Sequence, residues 1–552
     1  TCALPISVVM YLMDYHNKKV MVITTICTII FIYLVFGELL HTKMPQSMFL
    51  ELEVRTMGDI ASALSMIFIP ANLLGLVFGV AVGIAFGCMP GLSVNMGLAL
   101  LFPLAFSFDG IGGILMLLGI YCGAIYGGSI SAILLKTPGT PASVATTLDG
   151  YPMASKMKQP GRALGLSTMA STFGGIFSTI CLILLAPQLA KLALQFSKPE
   201  YFALAIFGLS IITSVSSGSV IKGIMGGLIG LFLATVGIDD MSGTIRFTMD
   251  TTYFLGGVSF IPILIGVFAF AQVLGSVEEY YHNERREQHM AIDKVLPSMA
   301  DIKRVFSTLL RSSCIGTFIG CVPGTGGDIA SFVSYDQAKR WSKHKDNFGN
   351  GEPEGIVASE SGNNAVSGGA FIPVLTLGIP GDGATAIMMG ALMVQGLQPG
   401  PLLFIEKAPD VYAIFIGLLL ANVVMGILGF SLIKLFVKVV NVPIHILLPI
   451  IIMMTFVGTY SYNNSINDVY LMVASGFIGY FLNKLGFSMS AIIIGIILGS
   501  MAEQNFVGSL IMSDGSFSIF YTRPLCLFFL VIAFLSLLSP FIGSVIRRMQ
   551  RK

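Results

Sequence analysis

GIAFGCMPG at residues 83–91 and GTFIGCVPG at residues 316–324 are one phrase written twice, identical at five of nine positions and offset by 233 residues. Each copy reads as an apolar helix that stops abruptly. Proline inside a helix removes a backbone hydrogen bond and clashes with the preceding turn, and the glycine after it lets the chain turn sharply. A second pair follows in the same order. GGSISAILLKTPGTPAS (127–143) parallels GGAFIPVLTLGIPGDGAT (368–385), with the Gly-Gly and Pro-Gly pairs offset by 241 and 242. A longer charged insert near 341–354 accounts for the drift. Two motif pairs in one order argue for an internal duplication.

The sequence around these phrases is membrane sequence. Of 552 residues, 55% are hydrophobic and 11% charged, and the mean hydropathy is +0.85. A water-soluble domain carries about 25% charged residues. Uncharged runs recur: Val20–Gly37, Ile60–Leu135 (broken only by Asp109), Ala163–Ala190, Thr251–Val277, Val411–Ile433, Val439–Asn467, Val469–Asn483, Leu485–Ala502 and Pro524–Ile546. At about 20 residues per span, this predicts an all-α polytopic membrane protein with about a dozen transmembrane helices and two internal repeats. A net charge of +2 gives no sign of a nucleic-acid partner. The eight cysteines show neither C-x-x-C nor Cys/His spacing, so no metal site or disulfide framework is indicated.

Backbone groups freed by a helix break are not tolerated against lipid, only where protein or a watery cavity covers them. Paired breaks in two halves of a chain point to a transporter site. The expected substrate-binding set is therefore Pro90, Gly91, Leu92, Ser93 and Asn95; Thr137, Pro138, Gly139, Thr140 and Pro141; Pro323, Gly324, Thr325 and Gly326; and Pro380 and Gly381. Helix N-termini favour anions, so such a site can hold a carboxylate with few basic side chains. The glycines of Gly83/Gly87 and Gly316/Gly320 have a second reading as close helix contacts.

Ionisable and amide groups inside spans are functional candidates by default. Asn363, Asn364 and Asp382 are the expected cation-binding residues. Glu360 reads either as a further site residue or as an interfacial one. Lys136 and Asp149 read equally as a structural pair near the interface. PGTGGD lacks the lysine of a phosphate loop, and neither H-E-x-x-H nor G-x-S-x-G occurs, so the expectation is a transporter and not an enzyme, with no cofactor beyond a coupling ion.

The chain organises as residues 1–50, one span with polar flanks; 55–277, the first membrane repeat; 278–311, a charged linker read as amphipathic helices on the membrane surface; 312–546, the second repeat and C-terminal helices; and 547–552, a basic tail. Basic clusters at Lys156/Lys158/Arg162, Arg285–Arg304, Lys339–Lys345 and Arg547–Lys552 are placed on the cytoplasmic side. The loop Asp239–Asp250 then falls outside. Thr1–Ile6 reads as foreign to a membrane gene, which suggests a truncated start.

GCMPGLSVNMGLALLFPLAF (87–106), YCGAIYGGSISAILLKTPGTPASVATTLDGYPMA (121–154), GRALGLSTMASTFGG (161–175), GCVPGTGGDIASFVSYDQAKRWSK (320–343) and EGIVASESGNNAVSGGAFIPVLTLGIPGDGATAIMMGALMVQGLQPGP (354–401) resemble the large membrane subunit of the tripartite tricarboxylate transporters, the TctA family. The resemblance covers roughly residues 55–546. SKMKQPGRA (155–163) departs from the family's usual glycine-rich lysine loop. IYLVFGELLHTKMP (32–45) is similar to the end of the family's small membrane subunit, TctB. The resemblance implies a multi-pass protein of the bacterial inner membrane. It implies a periplasmic solute-binding protein and a small membrane subunit, here partly fused, as partners. It also implies secondary uptake of citrate-like di- or tricarboxylates on a Na⁺ or H⁺ gradient. The rival readings are an ion channel or a non-transporting membrane scaffold.

Overall fold

A computed structural model describes residues 48–550 apart from 109, 211, 213–219, 240, 283–291, 293, 441 and 443. The span expected at Val20–Gly37 lies outside the described residues, as do the TctB-like stretch 32–45 and the side chains of the basic tail. The chain divides into residues 1–61 and 62–552. The described part of the first unit is the opening of helix α1 (Met48–Ile67). The second unit holds all that follows.

Among its described residues the second unit is predominantly helical, with one two-stranded sheet that pairs Gly237–Ile238 with Ile245–Arg246. Among the described residues, seven helices are long and apolar enough to cross a membrane, and five shorter apolar helices accompany them. The shorter ones include the far halves of spans that the Pro-Gly motifs interrupt.

The first repeat is α2 (Pro70–Cys88), a break, α3 (Val94–Ala105), α4 (Ile111–Leu135), a break, and α5 (Val144–Ser155). Helix α6 (Pro160–Ala193) follows, then α7 (Lys198–Ser210), α8 (Val220–Ala234), α9 (Phe260–Leu264) and, after a π-helical stretch, α10 (Ala271–His282). The second repeat repeats the plan: α11 (Met299–Cys321), a break, α12 (Gly326–Trp341), α13 (Pro353–Leu377), a break, and α14 (Gly383–Val394). Helices α15 (Ala408–Ser431), α16 (Ile444–Asn463), α17 (Ile466–Lys484), α18 (Met489–Met512) and α19 (Pro524–Gln550) complete the chain. Helix α11 starts inside the charged segment 278–311 and runs unbroken into the repeat. Its start is fixed by a capping box, Ser298 with Asp301.

The small-residue spacing decides how each repeat packs. A Cβ at Gly83 would lie 2.5 Å from the Ile120 carbonyl oxygen, and one at Gly87 only 2.2 Å from that of Ala124. Helix α4 reciprocates, since Gly123 and Gly127 face the carbonyls of Val80 and Ile84 at 2.4 and 2.5 Å. Helices α2 and α4 are thus parallel neighbours in backbone contact. The second repeat does the same with Gly316 against Gly362 and Gly369 against Thr317. These glycines serve packing, because without a hydrophobic drive between helices in lipid, close backbone approach supplies the attraction.

The two repeats run in opposite senses. The end of α14 lies at the start of α4, where a Cβ on Gly113 would meet Gln395 Nε2 at 3.3 Å. The end of α5 lies at the start of α13. There Asp149 Oδ1 accepts the amides of Gly349, Gly351 and Glu352, each at 2.8 Å. Ion pairs Arg162–Asp301 (2.5 Å) and Arg304–Glu352 (2.6 Å) lie at that same end. They bring two of the basic segments, those of Arg162 and Arg304, to one end of the helices.

Candidate functional site

Each repeat solves its breaks in the same way. Gly91 and Gly324, the glycines of the first Pro-Gly pairs, have φ of 91° and 82°. At the second breaks the left-handed residue stands two before the proline: Lys136 (φ 59°) and Gly378 (φ 68°). Gly139 and Gly381 allow close approach, to the Gly87 carbonyl and to Ala370 respectively. Gly324 N–H donates to Gly381 O at 2.6 Å, and Gly139 N–H to Gly128 O at 3.2 Å.

After each break a helix restarts, and all four restarts face one cavity of about 320 Å³. Ser93 caps α3 by accepting Met96 N–H at 3.2 Å. Thr140 and Ser143 form a capping box ahead of α5. Asp382 Oδ1 accepts both the amide (2.8 Å) and the hydroxyl (2.7 Å) of Thr385 to cap α14. Helix α12 is the exception. No side chain caps it, because Thr325 Oγ1 turns back to the Val322 carbonyl at 2.6 Å. Its opening residues Gly326 and Gly327 therefore present first-turn amides toward the cavity.

Two buried polar groups on the cavity wall lack hydrogen-bond partners among the described residues: Asn363 Nδ2 and the Tyr121 hydroxyl. Both residues are at most 1% exposed. Buried donors are almost always satisfied, so two unsatisfied donors on residues that line one cavity are candidates to bond an acceptor-rich ligand. Among the described residues the lining includes two carboxylates, Asp328 and Asp382, and no lysine, arginine or histidine.

Of the residues expected from sequence, Ser93, Asn95, Thr140, Pro141, Gly326, Asn363 and Asp382 line the cavity. Pro90, Gly91, Leu92, Thr137, Pro138, Gly139, Pro323, Gly324, Thr325, Pro380 and Gly381 form the breaks behind it. Gly91 O accepts Gln272 Nε2 at 2.9 Å, and Leu92 is buried. Asn364 points elsewhere, to Ser171 Oγ at 2.9 Å and to the Glu360 carbonyl at 3.0 Å. Glu360 is fully buried and does not line the cavity. Lys136 and Asp149 are not a pair. Lys136 leaves its left-handed cap to lie over the Tyr151 ring at 5.8 Å, while Asp149 is drawn inward by three amides and by the Tyr335 hydroxyl at 2.8 Å. Asp328, which the sequence places shortly after the Pro323-Gly324 break, lines the cavity too, as do Tyr121 and Ser490, which the sequence did not single out. Tyr121 and Ser490 stand in apolar helices with no local signal.

A sequence model of the family described as "Tripartite tricarboxylate transporter TctA family" matches residues 73–494. An uncharacterized 52.8 kDa protein in the TAR-I ttuC' 3' region of Agrobacterium vitis is 35% identical over 493 residues, covering 89% of this chain and 98% of that protein. An uncharacterized protein in the TAR-II ttuC' 3' region of the same organism is 37% identical over 210 residues, covering 38% of this chain and 87% of that protein. No solved structure matches the chain.

Proposed function

The chain belongs to the TctA family of tripartite tricarboxylate transporters, a multi-pass membrane family, and on that premise we propose that it is the permease that carries a di- or tricarboxylate of the citrate type through the cavity between its two inverted repeats. The uncapped start of α12 carries this reading. Its free amides, with the buried Asn363 Nδ2 and Tyr121 hydroxyl of two residues that line the cavity, offer donors for a carboxylate group. The cavity volume is at the lower end of the roughly 300–1,000 Å³ of small-molecule sites, which suits a small organic acid.

Charge balance supports ion coupling. A polyanion entering a cavity with Asp328 and Asp382 and no basic side chain needs cations beside it. Asp382 uses Oδ1 to cap α14, and we assign a place for a coupling cation, Na⁺ or H⁺, to the space beside it. The substrate is delivered by a periplasmic solute-binding protein, and a small membrane subunit completes the assembly in the bacterial inner membrane.

The test is uptake of citrate and of smaller dicarboxylates into proteoliposomes holding the chain, its small subunit and the cognate binding protein. A Na⁺ gradient and a proton gradient are imposed separately. Accumulation that needs a gradient and the binding protein is expected. Current without coupled substrate would make the chain a channel, and no flux of either kind would leave a scaffold.

A further inference from the structure

One fully buried carboxylate of the core stands outside the cavity. Glu360 stands on α13 one turn before Asn363, is fully buried and does not line the cavity. Its Oε1 is hydrogen-bonded to Thr146 Oγ1 on α5. Its Oε2 accepts Ser171 Oγ on α6 at 3.0 Å and lies 3.5 Å from Asn364 Nδ2. Among the described residues no lysine, arginine or histidine pairs with it.

An ionised carboxylate there is an uncompensated buried charge, which proteins avoid. The hydroxyls of Thr146 and Ser171 bond the carboxylate oxygens directly. A proton fits without moving a heavy atom. With Glu360 ionised, Thr146 donates to Oε1. With Glu360 protonated, Oε1–H donates to Thr146 Oγ1, Thr146 turns its hydroxyl to Ser359 Oγ at 3.0 Å, and Ser359 donates to the Gly355 carbonyl at 3.0 Å. Hydroxyl rotation alone satisfies both states.

We propose that Glu360 is a proton-carrying residue of the transport cycle, linked to cavity occupancy through α5 and α13. This rests on the transporter reading above. Thr146 lies in the first full turn after Thr140, Pro141 and Ala142, which line the cavity, and Asn364 adjoins the cavity residue Asn363. A ligand that shifts either element alters the bonds to Glu360. Oε1 takes a proton from hydronium and returns it to water, with no other bond changed.

Other titratable groups around this position are already engaged. Tyr126 on α4 bonds Thr168 of α6 at 2.7 Å. Toward the start of α13, Asp149 of α5 and Tyr335 of α12 bond each other. Glu354 of α13 accepts from Thr308 of α11 at 3.4 Å. Arg311 of α11 lies over Trp341. Between Ser312 and Cys321, α11 brings only cysteine, and α6 brings no charge between Ala163 and Ala190.

Infrared difference spectroscopy on the purified full chain, across a pH series with and without citrate as probe, should show a protonated-carboxyl band that titrates, responds to citrate, and is missing in Glu360→Gln. Reconstituted with its partner subunits, that variant should lose proton-driven citrate accumulation by about tenfold or more while citrate–citrate exchange persists. A band unchanged in Glu360→Gln, or parental proton-driven accumulation by it, overturns the proposal. If that variant does not yield folded protein, Thr146→Val leaves the carboxyl in place and must move the band's pH midpoint; an unmoved midpoint overturns the proposal equally. Absence of carboxylate uptake by the parent would sink the transporter reading, and the infrared band would still decide whether Glu360 titrates.

Discussion

The amide of Gly324 donates to the carbonyl oxygen of Gly381 across 2.6 Å, so the two interruptions of the second repeat close on one another. Gly324 holds a φ of 82° to do this. A Cβ in the left-handed region costs about 1–2 kcal/mol. Gly324→Ala should lower the melting temperature of the detergent-solubilised chain by that equivalent. Uptake should fall further than stability, because the bond sets where α12 and α14 begin. A melting curve equal to the parent's would show that the left-handed turn at 324 is not required.

The orphaned donors allow a test that separates binding from folding. Tyr121 and Asn363 lack partners among the described residues, so removing either donor forfeits no internal hydrogen bond. Tyr121→Phe and Asn363→Leu should each leave thermal stability near the parent's or raise it. If each group bonds a substrate carboxylate, a bond worth about 1.5–3 kcal/mol is lost. That is a roughly tenfold or larger rise in KM for uptake. Unchanged KM in both variants would remove them from the binding site.

Close packing at the repeated glycines predicts the opposite pattern. A side chain at Gly83 would drive into the Ile120 backbone, 2.5 Å from its carbonyl oxygen. Gly83→Leu should destabilise by about 1–3 kcal/mol or more through overpacking, read as loss of folded protein in size-exclusion profiles. Gly256, with nothing near its Cβ position, is the control, and Gly256→Ala should be far milder. Equal effects would count against the packing role.

How the sequence exposes these features differs from residue to residue. The breaks and the duplication are legible because proline and glycine act locally, through their own backbone preferences. The opposed direction of the repeats is not, because a string aligned with its copy reads the same whichever way each crosses the membrane. It becomes visible through Gly113–Gln395 and Asp149–Gly351, contacts between residues remote in the chain. Asn363 and Asn364 show another limit. They are neighbours in sequence but about 100° apart around the helix, so the cavity takes one, and Glu360, one turn back, takes the other. Tyr121 and Ser490 carry no motif, and only the fold brings them to the cavity.

Asp149 joins the end of α5 in the first repeat to the start of α13 in the second. Its Oδ1 accepts three amides at 2.8 Å and its Oδ2 the Tyr335 hydroxyl at 2.8 Å. Hydrogen bonds to a charged group contribute about 1.5–3 kcal/mol. Asp149→Asn keeps the shape but weakens all of them, and should cost about 2–3 kcal/mol, with faster proteolysis of the 342–352 loop. Asp149→Asn with parental stability and an equally resistant loop would show that this junction does not hold the repeats together.

The ion pair Arg162–Asp301 at 2.5 Å connects the start of α6 to the cap of α11, where Asp301 lies outside the candidate membrane spans, and carries a pH signature. Burial by itself raises the Asp301 carboxyl, but Arg162 and Ser298 outweigh it and hold the carboxyl below its ordinary value. A depressed folded value means that the unfolded chain binds the proton more readily. The stabilisation is therefore whole above about pH 4, the ordinary carboxylate value, and is lost as the pH falls through the folded value. Melting curves of the parent and of Asp301→Asn should lie apart at neutral pH, with the parent higher. They should converge as the pH drops below about 4, and high salt should narrow the gap only in part, since Asp301 is mostly buried. A gap that stays constant through the acid range would mean that the ionised form of Asp301 contributes nothing beyond its shape.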